Sequence, residues 1–234
     1  MAQCFGLDRP LLLAYLGLAG AGCRSAPGPV LPAGAAPIER DRVVEWVAAT
    51  IPTQSQLHRF KWLFVDERGS AGGRGSARVA PPDSLRFDVA GPFGSGAASA
   101  VVIGDRPAWT EPPDVIARLV PNYPLMWAMF GMAMAPADGV TIRGLTQDSI
   151  TAWEYARAGD TIQYARTAGD PVRFFAEVRH VGELIGRAET TLRPDGSLIK
   201  ARLTVPSVPA QLDLTFLSTT RAIFAPDIWL HRIP

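Results

Sequence analysis

In "SLRFDVAG", residues 84 to 91, Leu85, Phe87 and Val89 alternate with Arg86, Asp88 and Ala90. A period of two belongs to a strand with one apolar and one wet face. The texture begins at Gln56 with "QLHRFKWLFVDERG" and continues through "GRGSARVAPPDSLRFDVAGPFGSGAASAVVIGD". The glycine clusters at 69 to 75 and 91 to 96 are expected to be hairpin connections. Upstream, "PIERDRVVEWVAATI" carries Val43, Val44, Trp46 and Val47 at spacings of three and four among charges, which predicts an amphipathic helix after Pro37. A short helix is expected over Asp114 to Val120, with Asp114 as its N-cap.

The second half returns to alternation in "DGVTIRGL", "SITAWEYARAGD", "TIQYARTAGD", "VRFFAEVRHVGE", "LIGRAETTLRPDGS", "LIKARLTVP" and "AQLDLTFLSTTRAIF". Gly159-Asp160, Gly169-Asp170 and Asp195-Gly196 punctuate it, the mark of an antiparallel meander. The expectation is a mainly β (α+β) domain: a helix, about four strands, a helical and apolar interruption, then six or seven strands. So many antiparallel strands must hide their edges, which favours a strongly curved sheet or incomplete barrel with a few helices as a lid.

The interruption is "PLMWAMFGMAMAP", residues 124 to 136, with four of the five methionines, a Trp, a Phe and no charge. Thirteen residues are too few to span a bilayer, which takes about 20. Two readings stay open: a helix buried on all sides, or a surface for varied apolar ligands, a task Met suits. Met126, Met129 and Met132 share a helical face by their spacing of three, with Phe130 adjacent and Trp127 near.

Arg9, the apolar run from Leu11 to about Ala21 and the small residues after it form the three-part layout of a secretory signal. "LAGAG" precedes Cys23, the only cysteine besides Cys4 in the leader, so the body has no disulfide or thiolate metal site available. Residues 1–22 are read as signal peptide, 23–36 as Cys23 and a flexible Pro/Gly/Ala tether, and 37–234 as one domain. Its length of about 200 residues suffices for a substantial core. A net charge of +1 provides no net field to recruit nucleic acid or an acidic partner.

Signals for chemistry are sparse. His58, His180 and His231 are isolated, without metal-ligand spacing, and are expected at the surface or rim. Neither "GSAGGRGSA" nor "GPFGSGAAS" ends as a phosphate loop, and no nucleophile elbow occurs. Glu177 is expected to pair across strands with an Arg. Arg173, Arg179, Arg187, Arg193, Lys200 and Arg202 are expected on a solvated sheet face. No catalytic residue, metal or cofactor is assigned.

Three features resemble the LolA/LolB-like lipoprotein carriers and receptors. "PDSLRFDVAGPFGSGAASAVVIGD", residues 82 to 105, is similar to that family's strand, Pro-apolar-Gly hairpin and second strand. "MFGMAMAP", residues 129 to 136, is similar to a family segment in which Pro follows Gly by a few residues. "LAGAG" before Cys23 resembles the lipobox of the receptor branch; ordinary signal-peptidase cleavage is the other reading.

The resemblance implies an incomplete β-barrel with a helical lid over an apolar cavity that receives acyl chains. It implies acylation of Cys23 and anchoring in the inner leaflet of the bacterial outer membrane at its periplasmic face, because Arg24 stands where an inner-membrane retention Asp would be. Implied partners are an acylated lipoprotein or lipid and a soluble periplasmic carrier. Leu125, Met126, Trp127, Met129, Phe130, Met132 and Met134 become candidate lid or cavity residues, with core packing still open for them. Phe93 becomes a candidate membrane-contacting hairpin tip, or else a Phe folded back on the sheet. A lipid sensor or envelope-assembly factor of the same fold, and an enzyme built on it, are the other function classes.

Overall fold

The computed structural model describes residues 30–92 and 96–231. The leader, Cys23 and Phe93 lie outside the described residues. The chain runs β1 (Ala36–Pro37), α1 (Arg40–Ala48), β2 (Gln56–Asp66), β3 (Gly69–Ala80), β4 (Ser84–Ala90), β5 (Ala98–Ile103) and β6 (Arg106–Glu111). The interruption holds α2 (Pro113–Leu119) and α3 (Tyr123–Ala128). Then follow β7 (Ile142–Gln147), β8 (Ile150–Arg157), β9 (Asp160–Thr167), β10 (Val172–His180), β11 (Glu183–Leu192), β12 (Leu198–Val205), β13 (Ala210–Arg221) and a 3₁₀ turn, Pro226–Trp229.

Among the described residues, thirteen strands form one antiparallel sheet in the order β1-β7-β8-β9-β10-β11-β12-β13-β2-β3-β4-β5-β6. The last strand returns to pair with β2, joining two meanders, and the sheet stays open between β1 and β6. Arg157 of β8 nevertheless forms an ion pair with Asp105 in the turn after β5, near the other end of the strand order. A sheet that brings those positions together is curled into the expected half-barrel, its right-handed twist accumulating over many strands.

Alternation sorts side chains between the faces. On β2, His58, Phe60, Trp62 and Phe64 point inward, and Arg59, Lys61, Leu63 and Val65 outward. Trp153, Tyr155, Tyr164 and Phe174 continue the inner face across β8 to β10 and are fully buried. The chain from α2 to Ala137 enters between the two sheet edges and lies against this face, so the element separating the meanders also fills them.

Four expectations are corrected. The glycines from 69 to 75 belong to β3, and the connection is only Glu67 and Arg68. They permit close approach: a Cβ on Gly75 would stand 2.4 Å from the Phe60 ring, and one on Gly73 1.9 Å from the Ala90 carbonyl oxygen. The tether expected through residue 36 is packed from Val30 onward. Val30, Leu31 and Ala35 are buried on the outer face against Ala152 and Ala165, whose small side chains leave room, and Ala36–Pro37 adds an edge strand to β7.

Pro112, not Asp114, precedes α2; Asp114 lies in its first turn and complements the helix dipole there. His58 is not a rim histidine but a core one, 3% exposed, because its strand register turns it inward.

Candidate functional site

Within the apolar segment, α3 stops sooner than methionine spacing implies. The Met132 N–H donates to the Trp127 carbonyl (3.2 Å) and the Gly131 N–H to the Ala128 carbonyl (2.9 Å). This pair of bonds is a Schellman motif, and Gly131 takes the left-handed conformation it requires, with φ of 72°. Met132 therefore lies beyond the helix and does not share a helical face with Met126 and Met129. The chain continues without regular structure through Ala137 as a strap.

Every residue from Pro124 to Ala133 is buried and Met134 is half-buried. Leu125, Met126, Trp127, Met129, Phe130 and Met132 thus occupy the space inside the curled sheet. Each such burial contributes roughly 1.5–3 kcal/mol, an upper value because unfolded chains already bury some apolar area. Phe130 sits among Phe60, Phe87, Phe216 and His58, with ring centroids 5.9–6.4 Å away. His58 bonds Thr219 through Nδ1 (2.9 Å), and burial lowers its pKa to about 4, so it is neutral at pH 7.

Neutral hydrogen bonds hold the segment. The Trp127 indole donates to the Gly104 carbonyl (2.7 Å) and the Thr190 hydroxyl to the Ala128 carbonyl (2.7 Å). The Ala133 N–H donates to Thr50 Oγ1 (2.9 Å). Two tyrosines grip Met134: Tyr155 donates to its carbonyl (2.8 Å), and its N–H donates to the Tyr164 oxygen (3.2 Å). Burial raises both phenols, Tyr164 to about 12 and Tyr155 further, so both remain protonated.

A first cleft touches this plug, a second touches α2 but not the plug, and a third, more polar, borders Phe130, Gly131 and Met132. The first, of ≈ 400 Å³, opens between the sheet edges, bounded by Val47, Ile51, Trp127, Met132 and Met134, with Arg157 and Asp105 at its rim. The second, ≈ 620 Å³, lies under α2 and is lined by Trp62, Phe64, Val89, Leu119 and Val208. Here Arg118 closes α2 onto the sheet: its Nε donates to Asp66 (2.9 Å) and its guanidinium lies 5.2 Å from the Phe64 ring centre. The Arg118 bond holds the Asp66 carboxyl below its usual range.

The first two clefts are lined largely by apolar side chains. Among the described residues, no group of three or more His, Cys, Asp or Glu is placed to hold a metal, and no helix is long and apolar enough to cross a membrane. His180 pairs with Asp160 (2.8 Å) and His231 with Glu111 (3.6 Å), both at the surface. Glu177 stands opposite Arg187, as expected, and is bonded by Arg179 (2.7 Å). The sequence did not single out Tyr155, Tyr164, Thr50 or Thr190. The alternation in "WEY" and "IQY" turns the tyrosines inward, but nothing local names a partner 21 or 30 residues away.

No family model matches the chain, and no curated protein matches it. Solved structures similar to it include a LolA superfamily protein from Nitrosomonas europaea, at 9% identity and TM-score 0.48, covering 83% of this chain and 98% of that one. An outer membrane lipoprotein-sorting protein domain from Vibrio parahaemolyticus is similar at 8% identity and TM-score 0.39, over 80% and 94%. A DUF1329 family protein from Desulfovibrio piger is similar at 7% identity and TM-score 0.35, over 82% and 95%.

Proposed function

We propose that this chain is a lipid-anchored periplasmic protein that binds the acyl chains of a lipoprotein or lipid inside its half-barrel, for transfer to or insertion in the outer membrane. The observation that carries the reading is the filling of the interior by one uncharged, methionine-rich segment. An acyl chain of about sixteen carbons resists entering water by on the order of 12 kcal/mol. Exchanging plug for acyl chain keeps both apolar partners out of water in turn only if the plug finds cover, and the cleft between the sheet edges is apolar surface beside it. Met side chains adapt to a changed neighbour at little packing cost.

Acylation of Cys23 is part of the proposal. The chain is packed from Val30, so residues 24 to 29 limit the distance between the anchor and the domain to about 25 Å. The membrane and a soluble carrier are then the partners, with Phe93 as the proposed contact at the β4–β5 connection.

Full burial of Pro124 to Ala133 favours a second reading, a lipid-sensing or envelope-assembly protein whose closed form signals to a partner without transfer. Native mass spectrometry with lipid extraction separates the two. The carrier reading expects a co-purified acylated species and its release to acceptor vesicles. A protein that stays empty when offered a lipopeptide defeats the carrier reading, and binding without release favours the sensor.

A further inference from the structure

The outer face of the sheet is mostly neutralised by ion pairs. Asp88 receives Arg78 and Arg86, Asp213 receives Arg202, Glu189 receives Arg173, Glu177 receives Arg179 and Glu154 receives Arg143. One row departs from this pattern. Lys200 of β12 stands opposite Thr215 of β13, Thr215 opposite Lys61 of β2, and Lys61 opposite Arg74 of β3. All four side chains are exposed. Among the described residues no ion pair engages these three cations or Arg59, two residues along β2 from Lys61. At about 4.8 Å between strands, the row spans about 14 Å.

Like charges directly opposite one another destabilise a sheet, so Lys61 facing Arg74 works against the fold. Apolar side chains flank the row on the same face: Leu63 and Val65 beyond Lys61 on β2, and Leu217, turned outward where β13 slips register between Phe216 and Ser218, all 40–52% exposed. A shallow groove of ≈ 640 Å³ passes between Lys61 and Lys200. Asp213 and Glu189 at its border are already occupied by Arg202 and Arg173.

We infer that this patch docks the protein on an anionic phospholipid bilayer. Cations spaced along a row meet lipid phosphates, and Leu63, Val65 and Leu217 enter the headgroup layer. Aliphatic flanks without an exposed aromatic stacking platform in the row favour a lipid surface over nucleic acid. The contact is made by the outer face and does not require the interior to take a ligand.

The test uses the chain from residue 23 onward carrying Cys23→Ser, so that neither the apolar leader nor an acyl anchor contributes, and co-sedimentation with phosphatidylcholine vesicles with or without phosphatidylglycerol. Binding is expected only to the anionic vesicles, and to vanish at about 1 M salt, where the Debye length is about 3 Å. Lys61→Gln with Arg74→Gln is expected to weaken it on the order of 25-fold, about fivefold per cation. The thermal midpoint should stay level or rise, because a like-charge pair is removed.

Arg42→Gln with Arg106→Gln, an equal loss of net charge elsewhere, should leave binding within about twofold of the parent at the same per-charge scale. Equal loss in both double variants, or equal binding to both vesicle types, overturns the assignment. So does capture of polyglutamate in place of vesicles with the same dependence on Lys61 and Arg74, which marks an acidic-protein surface.

Discussion

The half-barrel is closed in two places by two kinds of contact. The strap from Met129 to Met134 is apolar, buried as far as Ala133, and tied by neutral hydrogen bonds to Thr50, Tyr155 and Tyr164. Helix α2 is short, buries only Ile116 and Leu119, exposes its outer side, and carries a surface ion pair between Arg118 and Asp66. Interior burial over many residues makes the first closure strong and indifferent to salt, whereas the second rests on two buried side chains and an ion pair that solvent screens. If the interior opens, α2 is the end that yields at least cost, and the strap is the end whose release creates the space.

The largest expected effect that sharpens this contrast is Met129→Asp. A carboxylate at that site, 1% exposed, has no partner, and a loss of about 3 kcal/mol or more in denaturant unfolding is expected. A drop below about 1 kcal/mol would show that the strap is not packed as a core element.

The next effect is pH dependence. His58 has a folded pKa lowered by burial to about 4, below the unfolded value near 6.5, so the unfolded chain binds the extra proton between them. Stability should be complete above about pH 6.5 and fall as pH drops towards 4, by on the order of 3 kcal/mol. His58→Leu should flatten that window, and an unchanged slope would place the titration elsewhere.

Tyr155→Phe and Tyr164→Phe each remove one bond at Met134 and should cost about 1 kcal/mol. Amide exchange should then quicken at residues 132 to 134 and not in α2; quickening in both would show that the two closures open together. The smallest effect belongs to Arg118→Gln, below about 1 kcal/mol in stability. It should speed exchange in residues 113 to 119, by an amount that shrinks as salt is added to the parent protein.

Much of this architecture was legible because alternation decides which face each side chain takes. The inward set on β2 and β4 follows from that rule, and so does the outward turn of Lys61 and Lys200, whereas Arg74 fell within the expected hairpin. The end of α3 was also readable in principle, since Gly131 is a C-terminal signal and Pro136 follows it. Methionine spacing concealed it by suggesting a longer helical face.

The glycines of β3 misled because composition alone reads them as a turn, whereas their purpose is the approach of Phe60 and Ala90 from neighbouring strands. Val30 and Leu31 were hidden in Pro/Gly-rich chain because their groove is made by Ala152 and Ala165, over a hundred residues away. The candidate site was visible only as an apolar stretch. Its tyrosine, threonine and indole ties depend on the sheet curling, and curling is a tertiary property.

The most direct test of the account is hydrogen exchange on the full chain, with and without a synthetic diacylated lipopeptide. The exchange account predicts that the lipopeptide speeds amides 129 to 134 while β8, β9 and β10 keep their protection, because the plug leaves and the sheet remains. Lipopeptide that binds yet leaves those amides as slow as before would contradict it, and would make "PLMWAMFGMAMAP" a permanent part of the core.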